Sequence, residues 1–412
     1  MAVMQQGSDR AVKPPTGGGH PGEVLIVFLR LGLTCFGGPI AHLGYSHDEF
    51  VVRRQWLDEK TYVDLVALSQ FLPGPASSKV GIAIGLSRAG YPGALAAWTG
   101  FTLPSAIALV LFGYGVASLG NGLHSGWLHG LMVAAVAVVA QAVLLMMRSL
   151  APDRERATLA VVAAVIVMVL PTTVAQIGAI AFGAAVGFVA FRAAPPADHV
   201  SLPHPVSRGV SVAAIAIFFA ILIVLPFVVA AVPSHSLQLF DAFYRAGSLV
   251  FGGGHVVLPL LQASVVPPGW VSNDAFLAGY GAAQAVPGPL FTFSAYLGTV
   301  MKPAPNGWLG GLICLVAIFL PSPLLLIAAL PYWEKLRRIS AVQSALRGVN
   351  AAVVGILLAA LYNPVWTSAI FAPRDFAIGI VAFLMLALWA VPPWLVVILG
   401  AVATAALAPV TG

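Results

Sequence analysis

Twice in this chain an otherwise apolar stretch is cut by Pro-Gly-Pro, and that feature leaves few folds open. The first stretch, Ala67 to Gly85, reads ALSQFLPGPASSKVGIAIG, and the second, Ala282 to Gly298, reads AAQAVPGPLFTFSAYLG. Gln70 and Pro73-Gly74-Pro75 in one stand where Gln284 and Pro287-Gly288-Pro289 stand in the other. Proline removes a backbone donor and clashes with the preceding turn, while glycine adds freedom, so each triplet ends one helix and starts another. In hydrocarbon the freed N–H and C=O groups have no water to bind. Such breaks persist only where protein or a water-filled cavity meets them. Two matched breaks point to one site shared by two halves.

The lipid setting follows from composition: 59% of the 412 residues are hydrophobic and 8% charged, with a mean hydropathy of +0.95. A soluble globular protein carries about 25% charged residues. The expected fold class is an all-α polytopic membrane protein. Residues 1–22 hold Arg10 and Lys13 among Gly, Pro and Ser, with no apolar core, and read as a disordered cytoplasmic tail rather than a signal peptide. Cys35 and Cys314, isolated in apolar runs, read as small buried hydrophobes and support neither a disulfide framework nor a metal site. No GxxxxGK[ST] phosphate loop occurs, so any ATP-driven step would need another subunit.

Thirteen apolar segments approach the ~20 residues of a span. The first half gives Val24–Gly44, Tyr62–Leu86, Tyr91–Ala117, Leu123–Leu150, Thr158–Leu170 and Thr173–Phe191. Gly209–Val232 stands alone, and the second half gives Leu239–Val265, Ala275–Val300, Trp308–Leu330, Ala345–Leu361, Phe376–Val391 and Trp394–Ala408. Thr158–Leu170 and the last two are short, and either tilt across or pair into re-entrant hairpins. The halves match beyond Pro-Gly-Pro. Phe28, Arg30, Gly32 and Phe36-Gly37-Gly38 recur at identical spacing as Phe243, Arg245, Gly247 and Phe251-Gly252-Gly253, and Leu103-Pro104-Ser105 returns as Leu320-Pro321-Ser322. Trp56 precedes Gln70 by the interval that separates Trp270 from Gln284. The expected domains are a first repeat at 23–192, a linker with one helix at 193–238, and a second repeat at 239–412. An odd linker inverts the second repeat, the plan of many secondary transporters.

Loop charge sets the orientation, because basic residues concentrate on the cytoplasmic side. With thirteen spans, the end holding the N-terminus carries Arg10, Lys13, Arg88, Arg148, Arg154, Arg156, Arg192, Arg208, Lys335, Arg337 and Arg338. The other carries Arg53, Arg54, Lys60, Lys302 and Arg374. The expectation is therefore a cytoplasmic N-terminus and a periplasmic C-terminus in a bacterial inner membrane. The loop at Arg53–Lys60 disagrees; surrounded by Asp48, Glu49, Asp58 and Glu59, it reads as a structured segment.

Inside the segments the clear ionisable groups are cations: Arg30, Lys79 and Arg245. A charge there costs ~2.5–3.5 kcal/mol on insertion scales and by default marks a substrate or ion path. Cations without deep carboxylates suit an anion and argue against an Asp/Glu cage for sodium. Arg30 and Arg245 either line that path or snorkel to an interface, and Asp241, four residues before Arg245, is a local partner. If a half-helix restarts after Pro75, Ser77, Ser78 and Lys79 fall in its first turn, where free N–H groups and the positive dipole end form an anion cradle. Thr292 and Ser294 stand at the second break. Gly37, Gly38, Gly252 and Gly253 form a second pair of breaks or close helix contacts. His42 and His255, just after them, are candidates for proton coupling or structural residues. Trp56, Trp270 and Trp308 read as interfacial anchors. No clustered carboxylates or histidines occur beyond the Asp48–Glu59 loop, which argues against a membrane-embedded enzyme.

With these residues in view, the sequence resembles the chromate ion transporter family, in its long form with two homologous halves. The likeness runs from Val24 onward. It rests on FGGPIAHLG (Phe36–Gly44), VVRRQWLDEKTYVDLVALSQFLPGP (Val51–Pro75), FTLPS (Phe101–Ser105), FGGGHVVLPLL (Phe251–Leu261) and VPGPLFTFSAYLG (Val286–Gly298). The resemblance implies export of chromate across the bacterial cytoplasmic membrane, giving chromate resistance, with sulfate sharing or competing for the site, and an inverted-repeat topology. Two positions depart from the family pattern: Lys79 stands where glutamine is usual, and Ser69 where cysteine is common. Uptake or exchange of sulfate or another inorganic anion is the alternative. The expected partners are that oxyanion, the lipid bilayer and a second copy in a homodimer, with no nucleic acid, cofactor or metal.

Overall fold

The computed structural model describes residues 18–118, 126–191, 205–251 and 253–407. Most of the expected disordered tail (residues 1–17), together with Arg192 and Gly252, lies outside the described residues.

Helices α1 (Pro21–Thr34) and α2 (Gly38–His47) meet at Cys35–Gly37, and α2 continues through a π-helical turn at Asp48–Arg53. They fold back on each other. Arg54, beyond the second arm, comes within 3.9 Å of Glu23 at the start of the first, and the Phe28 and Phe50 rings stack at 5.0 Å. Helix α3 (Glu59–Phe71) begins where the Asp58 carboxylate accepts the Thr61 N–H at 2.8 Å, a cap the sequence provides, and runs inward to Pro-Gly-Pro. From there α4 (Ala76–Ser118) departs, but it reverses at Ala89–Gly90, where Gly90 takes φ +64°. Its first arm (76–88) thus returns to the start of α3: Arg88 lies 4.9 Å over the Trp56 ring and bonds Glu23 at 3.2 Å. Its second arm (91–118) crosses the molecule.

Helices α5 (Gly126–Leu150), α6 (Arg154–Val169), α7 (Thr173–Ala190) and α8 (Arg208–Ala231) follow, the last three N-capped by Asp153, Thr172 and Ser207. The most apolar part of α5 is 72% buried, at the centre of the bundle. That of α8, with mean hydropathy 3.1, is only 11% buried and so faces lipid.

The second repeat builds the same two hairpins from the opposite end. Helices α9 (His235–Leu249) and α10 (Val257–Val265) form one, and α11 (Asn273–Ala285) and α12 (Phe293–Val300) the other. Their outer ends gather at Trp270, whose ring lies 4.9 Å from His235 and whose carbonyl accepts the Lys302 N–H at 3.0 Å. Helices α13 (Gly307–Phe319), α14 (Pro321–Ala329) and α15 (Trp333–Leu336) then run back across. At one end of that run the Trp308 N–H donates to the Tyr114 hydroxyl at 3.0 Å, at the far end of the long arm of α4. At the other, Arg337 makes a buried pair with Asp64 of α3, 3.1 and 3.2 Å to its two oxygens. Helices α16 (Ser340–Ala360), α17 (Pro373–Ala387) and α18 (Pro393–Leu407) complete the fold.

All thirteen apolar segments are helical, but the structure regroups them. The four segments containing a break fold back as hairpins, and the last two short ones also pair: Arg374 at the start of α17 reaches the Leu407 carbonyl at the end of α18 (3.5 Å), while Trp394 at their turn lies 5.9 Å from Phe36 at the tip of α1. Hydropathy measures apolar length without direction, and two half-helices folded at a glycine have the same length as one kinked span. The loop at Arg53–Lys60 consequently lies at the same end as Glu23 and Arg88, which removes the one disagreement in the loop charges. Trp56 is also not an interfacial anchor. It is 8% exposed, between the Arg54 and Arg88 guanidinium groups at 5.5 and 4.9 Å.

Candidate functional site

The four hairpin tips meet in the interior, and they meet across the repeats. The Gly74 N–H, in the first Pro-Gly-Pro, donates to the carbonyl of Val250 at the tip of α9 (2.7 Å). In the reciprocal bond, the Gly288 N–H of the second Pro-Gly-Pro donates to the carbonyl of Cys35 at the tip of α1 (2.9 Å). Gly74 and Gly288 share φ +100°, a conformation L side chains rarely adopt, so both triplets need glycine at their centre. Gly37, Gly38 and Gly253 also have positive φ, at +100°, +78° and +153°. Pseudo-twofold pairing thus satisfies backbone groups that the breaks release.

Helical segments start at these tips: α2 at Gly38, α4 at Ala76, and the 3-10 turns Gly254–Val256 and Leu290–Thr292 that lead into α10 and α12. Their first N–H groups have no intrahelical partner, and the dipoles add positive potential. The tip segments 35–38, 72–79, 250–255 and 286–292 contain no carboxylate.

Lys79 is fully buried. Its ammonium reaches back from the first turn of α4 to donate to the carbonyls of Leu72 (2.5 Å) and Pro73 (3.0 Å) at the end of α3. There it meets carbonyls freed by the break and the negative end of α3, where a cation is favoured. Ser77 and Ser78 are buried beside it, and the Ser78 hydroxyl has no partner in the chain. Thr292 uses its hydroxyl on the Pro289 carbonyl (2.8 Å), and Ser294 on that of Phe291. Gln70 is exposed, whereas Gln284 is half-buried with its amide nitrogen unpartnered.

The other sequence candidates are placed as follows. Arg245 pairs with Asp241 at 2.8 Å, the expected local partner. Arg30 is exposed in a cavity of about 220 Å³ between α1 and α2 that also holds Asp48, Glu49 and Arg53. His42 is buried with Nε2 3.2 Å from the Cys35 carbonyl, the same oxygen that receives Gly288. His255 Nδ1 lies 2.7 Å from the Tyr280 hydroxyl. Among the described residues no three His, Cys, Asp or Glu side chains gather as a metal site would require.

Sequence reasoning passed over Trp98, Thr102 and Ser322, whose polar atoms are buried and unpartnered. The recurrence of Leu-Pro-Ser was the available signal; it marks the crossing helices where they pass the tips. The Ser322 hydroxyl occupies the space a Cβ on Gly74 would need, and the Ser105 hydroxyl lies 2.8 Å from where a Cβ on Gly288 would stand.

A family model described as Chromate transporter matches the chain twice, over residues 22–233 and 237–405. The chain is 28% identical over 365 residues to the chromate transport protein of Pseudomonas aeruginosa, covering 84% of this chain and 81% of that one. To the chromate transport protein of Cupriavidus metallidurans it is 26% identical over 360 residues (82% and 81%). To the probable chromate transport protein of Synechococcus elongatus it is 27% identical over 344 residues (81% and 82%). No solved structure gives a significant match.

Proposed function

Because this chain belongs to the chromate transporter family, we propose that it carries chromate, a tetrahedral dianion, outward across the bacterial cytoplasmic membrane, and that the four hairpin tips form its binding site. The observation that carries this reading is the convergence of helix starts, one buried lysine and unpartnered donors on a centre whose tip segments contain no carboxylate. Such a centre has surplus positive potential and surplus N–H and O–H groups, the complement of an oxyanion.

The inverted plan is supported by the reciprocal bonds Gly74–Val250 and Gly288–Cys35 and by hairpins entering from opposite ends. Orientation rests on charge. Of the described loop cations, Arg53, Arg54, Lys60, Arg88, Arg148, Arg154, Arg156, Arg208, Lys335, Arg337 and Arg338 lie at the end where the first-repeat hairpins enter, against Lys302 and Arg374 at the other. The first end is therefore cytoplasmic and the C-terminus periplasmic. Arg30 and Arg245, each facing carboxylates, act near the path rather than as its ligands.

Purified protein in lipid vesicles tests the reading. Chromate flux should be saturable and reduced by excess sulfate, and protein-free vesicles should show none. Flux no greater than in protein-free vesicles would remove the proposal.

A further inference from the structure

The unpartnered groups at the crossing helices share one chemical character. Thr102 Oγ1 and Ser322 Oγ belong to side chains no more than 1% exposed, and neither has a partner in the chain. Trp98 Nε1, one helical turn before Thr102, and Gln284 Nε2, three residues before the second Pro-Gly-Pro, are likewise unpartnered. The Phe319 ring ties these elements together, lying 5.8 Å from Trp98 and 5.8 Å from Phe291, within the second Pro-Gly-Pro tip segment. An indole N–H and an amide NH₂ can only donate, and each hydroxyl has a proton to give. Native proteins rarely leave buried donors unpaired, so several around one centre call for a ligand that only accepts.

We propose that Thr102 and Ser322, on crossing helices of opposite repeats, bind the oxyanion directly, with Trp98 and Gln284 completing a donor-rich set without a carboxylate that selects fully deprotonated tetrahedral oxyanions over protonated ones. This rests on the oxyanion reading above and adds its ligands and selectivity. Chromate and sulfate at pH 8 offer four acceptor oxygens and no proton. Hydrogen phosphate carries an O–H that must itself find an acceptor; neither the tip segments nor residues 98–105 and 318–322 contain a carboxylate to receive it, and a hydroxyl that accepted it would have to turn its own proton away from the anion. A site that leaves one such group unpaired rejects its bearer strongly. The two serines are not equivalent: Ser105 gives its proton to the Thr102 carbonyl at 3.1 Å, while Ser322 keeps its proton free.

Calorimetry on the purified full chain at pH 8, with chromate, sulfate and phosphate as probes, tests this. Chromate and sulfate should compete, and phosphate should bind at least tenfold more weakly. Thr102→Val and Ser322→Ala should each weaken chromate about tenfold, the worth of a hydrogen bond to a charged group. Neither should lower the melting temperature, because neither hydroxyl supports the fold. Thr102→Ser should keep its affinity. Ser87→Ala, whose hydroxyl serves the Ile84 carbonyl at the cytoplasmic end, should bind as wild type. Unchanged affinity in both Thr102→Val and Ser322→Ala, or phosphate binding as tight as chromate, overturns the inference while leaving chromate transport intact. A wild-type chain that binds neither chromate nor sulfate overturns the oxyanion reading and this one together.

Discussion

Lys79 donates to the carbonyls of Leu72 and Pro73, so its side-chain nitrogen is fixed at the joint between two half-helices. That position joins two roles. As a hydrogen-bond donor it satisfies carbonyls that proline and glycine have released; as a charge it raises the potential at the centre where the tips meet. Substitution separates them. Lys79→Met leaves both carbonyls unpaired and should lower stability by about 1–3 kcal/mol for each group, read from thermal melts. Lys79→Gln keeps donors but loses the charge, and should melt near wild type while binding chromate more weakly. Since a transporter must also release its anion, flux in Lys79→Gln should hold or rise. Lys79→Glu should abolish binding and flux, and Arg208→Gln, in the first turn of α8, should change little. Unchanged chromate affinity in both Lys79→Gln and Lys79→Glu would confine the residue to the structural role. The sequence placed Lys79 in the first turn after Pro75 but could not show which way a flexible four-carbon side chain points. The same limit hid Thr102 and Ser322, since a helix's rotation about its axis is set by packing that one sequence does not record.

At the scale of elements, the breaks were legible and their consequence was not. Pro-Gly-Pro and Phe-Gly-Gly announce helix ends through chemistry local to a few residues. Whether the next helix continues or turns back depends on what the tip meets, and here it meets residues more than 170 positions away, at Val250 or Cys35. Charge held the missing clue. Arg53, Arg54 and Lys60 look misplaced only if Val24–Gly44 is one span. Single cysteines at Lys60 and Pro268, on a background without Cys35 and Cys314, test the hairpins directly. With both segments re-entrant, Lys60→Cys should react with a membrane-impermeant maleimide from the cytoplasmic side and Pro268→Cys from the periplasmic side. The reverse pattern would restore two kinked spans and undo the convergence of tips.

The whole molecule must move a dianion, and the membrane potential already favours one direction. One charge is worth ~2.3 kcal/mol per 100 mV, so a departing dianion gains ~4.6 kcal/mol, more than a thousandfold in concentration. Chromate export from vesicles of native orientation should therefore follow an imposed potassium-diffusion potential at constant pH. If only a pH gradient drives it, proton exchange through His42 or His255 is the better account. The reciprocal bonds at the tips also carry a consequence for how the protein is made. Gly74 leaves the ribosome 176 residues before Val250, the carbonyl it needs. At typical elongation rates of ~5–20 residues per second that is a delay of about 10 to 35 s. For that interval the nascent first half must keep a broken helix tip shielded from lipid by water, by the insertion machinery or by its own unfinished neighbours. Assembly is thus obliged to run backward in one respect: tips made early in synthesis are sealed only after the second half has emerged.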